Sequence, residues 1–358
     1  MGKYLMLDIG AGTMDILYLD TRSRLQYKAV VKSPVQVIAD QINKIKGRLI
    51  VTGCEMGGGP VSAAIKERAA VSEVVISHTA ASTLHHDPEQ VRSFGIRIID
   101  DTEADRLTQK DPSHAVTTED IQKDRILNIV KGFGVPPVFD AVAVCAQDHG
   151  KAPAGTSHLD FRHSLFKAIL DKHPYPGALL YRSTNVPKVM SRLSSIAHSV
   201  EKLPTDRVYV MDSGMAAILG ASMDASARPL ERIIVLDIAT SHTVGAAMEK
   251  DLISGFFEYH TRDITPHRLE ELLRALSDGK LSHNTILKEG GHGAYIRGAF
   301  GFENVQLILA TGPKRFLMKN SSLPIHPGAP WGDNMMTGTV GLFEAMKNKE
   351  KIGPVDIV

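Results

Sequence analysis

The sequence predicts an α/β protein built from two domains. Strand and helix patterns alternate along most of the 358 residues, as in layered α/β folds. One local pattern occurs twice, at 8–15 and at 237–244: a buried strand, an acidic residue, a turn of small residues and a second strand. A chain of this length can bury two sizeable cores, so we expect one copy of the pattern in each domain.

In the first half, apolar runs and turn residues predict the elements in order. Two strands form an opening hairpin, a third follows it, and Pro34 starts a helix that runs to about Lys44. Pro60, after the glycines 57–59, opens another helix at its favoured first position. The predicted strands are 3–10, 14–20, 26–32, 48–52, 73–77, 96–99, 140–145 and 208–211, and the other helices are 118–132, 160–170, 187–200 and 213–221.

The second half repeats the opening order of three strands and a helix. We predict strands at 232–237, 242–248, 252–258 and 305–309, a helix at 265–277 and a glycine-rich loop at 290–301. A last helix is predicted from Asp333, as N-cap, to about Lys347. The stretch 223–230 reads as a connection, so the predicted domains are 1–228 and 229–358.

Composition excludes several classes of partner. The formal net charge of +1 gives no reason to expect nucleic acid or an anionic membrane as partner. No apolar run approaches the roughly 18–20 residues of a membrane helix. The strand-like start containing Asp8 does not fit a signal peptide. Only Cys54 and Cys145 are present, far apart, which favours a reducing, cytoplasmic compartment without disulfides.

The repeated hairpin has the chemistry of a phosphate and magnesium site. An acid at a strand end, here Asp8 or Asp237, can hold a hydrated Mg²⁺, and small residues let backbone N–H groups approach phosphate oxygens. Two such hairpins facing each other would grip a nucleoside triphosphate from both sides. The phosphate-binding candidates are Gly10, Gly12 and Thr13 in the first hairpin, and Thr240, Ser241 and Thr243 in the second.

Five segments, in order, resemble the superfamily of actin, the seventy-kilodalton heat-shock chaperones and sugar kinases. Segments 8–15 and 237–244 are similar to its first and second phosphate loops, and segment 141–150 is similar to its first connecting segment. Segment 211–221 is similar to the helix that precedes the second phosphate loop, and segment 307–313 to the adenosine loop. The resemblance implies an actin-like ATPase fold: two ribonuclease-H-like domains with ATP and Mg²⁺ in the cleft between them. It also implies that Thr311 and Gly312 contact the adenosine.

Three further residues are candidates for catalysis within this resemblance. The Gln147-Asp148-His149-Gly150 ending is similar to the form in carbohydrate kinases. Gln147 would orient an attacking water or hydroxyl, and Asp148 would act as general base. Asp212 lies one position from the acid that sugar kinases use as base, so it either supports the Mg²⁺ site or caps the following helix.

A closer resemblance is to an uncharacterised prokaryotic family labelled pyruvate formate-lyase activating protein. The segments that carry it are 51–53, 56–60, 78–81 and 94–96. The label implies a radical enzyme, which needs a cluster of three cysteines for its iron–sulfur centre. This sequence has no such cluster, so we do not expect radical chemistry.

The predicted function is Mg²⁺-dependent ATP binding, with hydrolysis or phosphoryl transfer coupled to domain closure. Three classes stay open: a kinase with a small-molecule acceptor, an ATPase that activates a partner enzyme, and a non-catalytic nucleotide sensor. Gly57–Gly59 before a helix is a second candidate anion site, and Cys54 beside it is expected to be a small buried residue.

Overall fold

The structure is a computed structural model that describes residues 2–153 and 155–355. The strands β1 to β16 are Lys3–Ile9, Thr13–Asp20, Leu25–Lys32, Leu49–Gly53, Val74–Ser77, Arg97–Ile99, Ala115–Thr118, Ala141–Ala146, Leu180–Arg182, Val208–Asp212, Arg232–Ile238, His242–Glu249, Leu252–His260, Gly293–Ile296, Leu307–Thr311 and Ile325–Pro327. The helices α1 to α12 are Pro34–Lys44, Gly59–Ala69, His78–Ala81, Pro88–Ser93, Asp101–Lys110, Lys123–Gly132, His158–Leu170, Ser191–Val200, Ser213–Ser222, Pro266–Ser277, His283–Lys288 and Thr337–Glu350.

Two sheets share one topology. The first has the order β3-β2-β1-β8-β10-β9, and the second has the order β14-β13-β12-β11-β15-β16. Each contains three antiparallel strands followed by two parallel ones, β3-β2-β1-β8-β10 in the first sheet and β13-β12-β11-β15-β16 in the second, with one further antiparallel strand, β9 or β14, at an edge. This is the ribonuclease-H-like order, and its occurrence twice confirms the predicted two-sheet α/β fold. Strands β8 and β15 are nearly continuous apolar runs and almost fully buried, as is typical of parallel strands inside a sheet.

A third sheet, β6-β5-β4-β7, is inserted between β3 and β8. All its strands are parallel, and it has its own core around Val51, Ile65 and Ile76. The sequence pattern indicated most of its elements but not that they form a separate sheet. Its β4–α2 connection carries Gly57–Gly59 toward the first sheet. The domain boundary near residue 228 stays a prediction.

Helices α9 and α12 cross between the two main sheets. Helix α12 packs on β1 and β8, whereas α9 packs on β11 and β12. Glycines permit the close crossing, because a Cβ on Gly220 would lie 1.7 Å from the Thr337 carbonyl oxygen. A Cβ on Gly341 would lie 1.8 Å from the Ala216 carbonyl oxygen. The two helices therefore fix how the sheets are placed around the space between them.

Some predicted elements differ from the observed ones. The segment 290–301 is not entirely loop, since β14 pairs with β13 there and its glycines had hidden the strand. The last helix begins at Thr337, because Asp333 caps a separate 3-10 turn by accepting from the Met335 N–H. The helix predicted from 118 begins at Lys123, after β7. None of the helices within the described ranges combines the length and apolar character needed to span a bilayer.

Candidate functional site

A cavity of about 680 Å³ lies between the two main sheets, within the size range of small-molecule sites. It is formed by the loops that follow β1, β4, β8, β11 and β15 and by the start of α12. Ten residues predicted for the site from the sequence line this one cavity: Asp8, Gly10, Gly12, Thr13, Gln147, Asp148, Asp237, Thr240, Ser241 and Gly312.

The two repeated hairpins meet at the cavity. Each turn closes with the same type of backbone hydrogen bond, from Gly10 N to Thr13 O and from Ala239 N to His242 O, both 3.0 Å long. A Cβ on Gly12 would lie 3.0 Å from Cγ2 of Thr240, so the turns are already in van der Waals contact. Gly12 is therefore required by the close approach of the second hairpin as well as by its own turn.

The hairpins present three carboxylates to the cavity, of which Asp15 is buried and Asp8 and Asp237 are half-buried. Asp8 and Asp15 are cross-strand partners in β1 and β2, and Asp237 is the penultimate residue of β11. Burial, reinforced by neighbouring carboxylates, raises the pKa of Asp8 to about 7 and that of Asp15 to about 8. Burial also raises the pKa of Asp237 to about 6. Among the described residues, Oδ1 of Asp15 has no hydrogen-bond partner, so this cluster fits a cation as counter-charge.

Because these carboxylates have raised pKa values, we expect the free energy of unfolding of the ligand-free protein to decrease as the pH rises from about 4 to about 8. The folded-state pKa values exceed the unfolded value near 3.8, so the folded chain holds extra protons in this window and loses them at higher pH. The contribution is complete below about pH 4. Melting temperatures measured across this range should fall less steeply for Asp15→Asn. Identical slopes for the variant and the wild type would contradict the prediction.

The predicted catalytic residues of the connecting segment are already engaged. Asp148 accepts from the Gly150 N–H at 2.7 Å and, through its other oxygen, from the Leu193 N–H at 2.9 Å near the start of α8. The Gln147 side-chain amide donates to Glu258. These bonds hold the segment in place, and they occupy the atoms that a general base or a water-orienting amide would use.

Asp212 lies outside the cavity lining, in a buried ion network. One of its oxygens caps α9 by accepting from the Met215 N–H, and the other pairs with Arg162 at 2.9 Å. Arg162 also pairs with Glu258 at 2.7 Å. The Arg162 charge holds the pKa of Glu258 well below its usual range despite burial, whereas burial raises the pKa of Asp212. Asp212 thus joins the first sheet to β13 instead of facing the cavity.

Thr243 and Thr311 also lie behind the cavity wall. The two hydroxyls of Thr243 and Thr261 are hydrogen-bonded at 3.0 Å, and the Thr311 hydroxyl donates to Oδ1 of Asp237 at 2.9 Å. In the structure, their hydroxyls hold the second hairpin and Asp237 in place, and neither residue lines the cavity.

The far end of the cavity contains residues that were not among the predicted site residues. Nε2 of His86 lies 2.9 Å from Oε1 of Glu55, and this hydrogen bond raises the pKa of His86. Arg192 forms a two-bond ion pair with Asp120 and donates to the Gln147 carbonyl oxygen at 2.8 Å. A Cβ on Gly57 would lie 2.7 Å from the Arg192 guanidinium. The adjacent histidines 85 and 86 were the available sequence signal, and they line the cavity together with Gly57–Gly59.

Four histidines form a further group at the β13 side of the cavity. His242 begins β12, His260 ends β13, His292 precedes β14 and His149 belongs to the connecting segment. Burial lowers the pKa of His242 to about 4 and that of His149 to about 3, so both are neutral at neutral pH. They are scattered over 144 positions, and no sequence spacing links them.

Two ribonuclease-H-like sheets whose first hairpins meet at one cavity define the class: this is an actin-like fold, the fold of the actin, chaperone and sugar kinase superfamily. Within that class, the chain belongs to the family described as "Putative pyruvate format-lyase activating enzyme (DUF1786)", whose model matches residues 56–317. No curated protein matches the sequence.

Several solved structures are similar over nearly the full length. The inorganic polyphosphate/ATP-glucomannokinase of Arthrobacter sp. strain KM is 14% identical, with 98% of this chain and 100% of that chain covered and a TM-score of 0.37. The ROK hexokinase of Thermus thermophilus is 10% identical, with 98% and 100% covered and a TM-score of 0.32. The 2-hydroxyisocaproyl-CoA dehydratase activator of Clostridium difficile, with bound ADPNP, is 9% identical, with 99% of each chain covered and a TM-score of 0.30. Likeness at this level does not transfer substrate or activity.

Proposed function

We propose that this protein binds ATP with Mg²⁺ in the cavity between its main sheets and hydrolyses it or transfers its terminal phosphoryl group. One observation carries the proposal: the two repeated hairpins touch and together present Asp8, Asp15 and Asp237 to one cavity. A purely structural role for three clustered carboxylates would call for cationic partners, whereas Oδ1 of Asp15 has no hydrogen-bond partner among the described residues and Asp237 is partnered by the neutral Thr311 hydroxyl.

The residues of the proposed site fall into three groups, which would contact the metal ion, the phosphates and the adenosine of the nucleotide. Asp8 and Asp237 would hold Mg²⁺ through water, and the metal would neutralise charge on the phosphate oxygens. The backbone N–H groups and hydroxyls of the two turns would donate to phosphate oxygens: Gly10, Gly12, Thr13, Thr240 and Ser241. Gly312 has a φ of +84° and no room for a side chain, since a Cβ there would lie 2.5 Å from the Ile238 carbonyl oxygen, and its backbone would contact the adenosine. Closure of the two sheets over the nucleotide would follow as a hinge motion.

Two alternative functions each have a supporting observation. Engagement of both Asp148 oxygens by backbone N–H groups, and of Asp212 by Arg162, favours a nucleotide sensor without a free general base. The extension of the cavity toward Glu55, His86 and Arg192 favours a kinase, because it leaves room for a small hydroxyl acceptor beyond the phosphate loops. An ATPase that activates a partner enzyme stays a third prediction.

Thermal unfolding with and without Mg-ATP tests the proposal. At about one hundred times its Kd, a ligand stabilises the folded state by roughly 2.7 kcal/mol, which raises the melting temperature of a chain of this size by several degrees. We expect this shift in the wild type with Mg²⁺, a much smaller one with EDTA, and none in Asp8→Asn. Asp8→Asn removes the charge of a half-buried side chain with little change in volume, so the ligand-free variant should remain folded.

Asp105→Asn is the matched control, since Asp105 is exposed on α5 in the third sheet's layer and should keep the full shift. A shift of equal size in Asp8→Asn, or none in the wild type with ATP, ADP or GTP, would refute nucleotide binding at this cavity. Phosphate release then separates the alternatives. Binding without release favours a sensor, and release stimulated by a small hydroxyl compound favours a kinase.

A further inference from the structure

We infer that His242, His260 and His292 form a binding site for a divalent transition-metal ion such as Zn²⁺, beside the second hairpin of the cavity. One ring nitrogen from each of the three side chains lies within 4.8 Å of the other two. Imidazole is a ligand suited to Zn²⁺, Co²⁺, Ni²⁺ and Fe²⁺, whereas Mg²⁺ prefers oxygen. The site is therefore chemically distinct from the carboxylate cluster, and it does not depend on nucleotide binding.

The backbone holds the three histidines rigidly. His242 and His260 are directly opposite each other in the antiparallel pair β12–β13. The His292 N–H donates to the carbonyl oxygen of Glu258 at 2.8 Å, which fastens the third ligand to the same strand. Ligands fixed on paired strands lose little freedom when a metal ion binds, which favours a preorganised site.

The nitrogens of His260 and His292 are spaced as they would be around one metal ion. Nε2 of His292 lies 3.1 Å from Nε2 of His260. Two nitrogens bound to one tetrahedral Zn²⁺ at about 2.0–2.1 Å are separated by about 3.3 Å. Nε2 of His242 is buried and has no hydrogen-bond partner within residues 2–153 and 155–355. A cation bound by the three rings would supply that missing partner.

A buried carboxylate lies next to one of the three histidines, where it could act as the outer partner that metal-binding histidines usually have. Nδ1 of His292, on the far side of the ring from His260, lies 3.3 Å from Oε1 of Glu258. Nδ1 of His292 has no hydrogen-bond partner among the described residues, so a metal-bound ring would turn to donate to this carboxylate, which would then fix the ring orientation and strengthen the ligand. Arg162 and the Gln147 amide hold Glu258 in place. The buried ion network thus places a carboxylate beside a metal ligand.

The site would be open on its cavity side. All three histidines line the cavity, and the ring of His149 lies 5.5 Å from that of His292. Three protein ligands with an open fourth position are the arrangement of reactive zinc sites, whereas structural zinc sites are closed by four. The fourth ligand would be water or an oxygen of a molecule in the cavity, next to Ser241.

Titration of metal-free full-length protein with Co²⁺, followed by visible absorption, tests the inference without any nucleotide. We expect one Co²⁺ per chain, displaced by one equivalent of Zn²⁺ and not by excess Mg²⁺. His260→Ala should weaken Co²⁺ binding by more than the roughly 10–100-fold that loss of an outer partner typically causes. His260→Gln, which keeps a polar side chain, provides the same test if the alanine variant does not fold.

Two control variants distinguish Co²⁺ binding at the three histidines from binding at exposed histidines and at the carboxylate cluster. His198→Ala changes an exposed histidine on α8 and should bind Co²⁺ like the wild type. Asp8→Asn should also retain Co²⁺ binding, even though it is expected to lose Mg-ATP binding, so the two sites can fail independently. Absence of Co²⁺ binding in the wild type, or equal binding in a folded His260 variant, would overturn the inference and leave a hydrogen-bonded histidine pair.

Discussion

Arg162→Met is expected to destabilise the fold by about 3–5 kcal/mol, the usual cost of removing one partner from a buried ion pair. Arg162 is the shared partner of Asp212 and Glu258, and all three side chains are at most 6% exposed. Methionine retains the aliphatic packing but leaves two buried carboxylates without their cation. Urea unfolding of the variant and the wild type measures the difference as a shift in midpoint.

The control for this prediction is the exposed pair of Arg232 and Glu249. Arg232→Met should change stability by less than about 1 kcal/mol, because surface ion pairs contribute little. Adding Asp212→Asn and Glu258→Gln to Arg162→Met should recover part of the loss, since the neutral amides need no cation. If the single Arg162→Met variant were as stable as the wild type, this ion network would not be needed to hold the two main sheets together.

Gly220→Ala is the other substitution with a large expected effect, a loss of more than about 3 kcal/mol. The new Cβ would stand 1.7 Å from the carbonyl oxygen of Thr337, a backbone atom that no side-chain rotation can move away. Helices α9 and α12 would have to separate, and overpacking of this kind typically costs 1–3 kcal/mol even where neighbours can yield. The unfolding midpoint in urea measures the loss.

Gly132→Ala is the matched control for the helix crossing. Gly132 ends α6, and no atom lies within 4 Å of the position its Cβ would take. Alanine there should be neutral or stabilise the fold by up to about 1 kcal/mol, since alanine is the better helix former. If Gly220→Ala behaved like Gly132→Ala, the close crossing of α9 and α12 would not be required for stability.

Much of the site could be predicted because its signals are local. Asp8, Gly10 and Gly12 belong to one turn between two strands, and the alternation of small, acidic and apolar residues there is visible in a short window. The same reasoning placed Asp237 in the second hairpin. It failed at β14, where glycines masked a strand that forms only because β13 provides a partner.

The sequence alone determined the order of most strands and helices and the two hairpins that face the cavity, because burial periodicity and turn chemistry act over a few residues; β7, β9, β14 and β16 escaped it. Only the tertiary structure decided that Asp212 meets Arg162 instead of the cavity, and that His242, His260 and His292 converge. Arg162 and Glu258 are 96 positions apart. Such contacts depend on sheet register and on how the two sheets pack around α9 and α12, which no local pattern encodes.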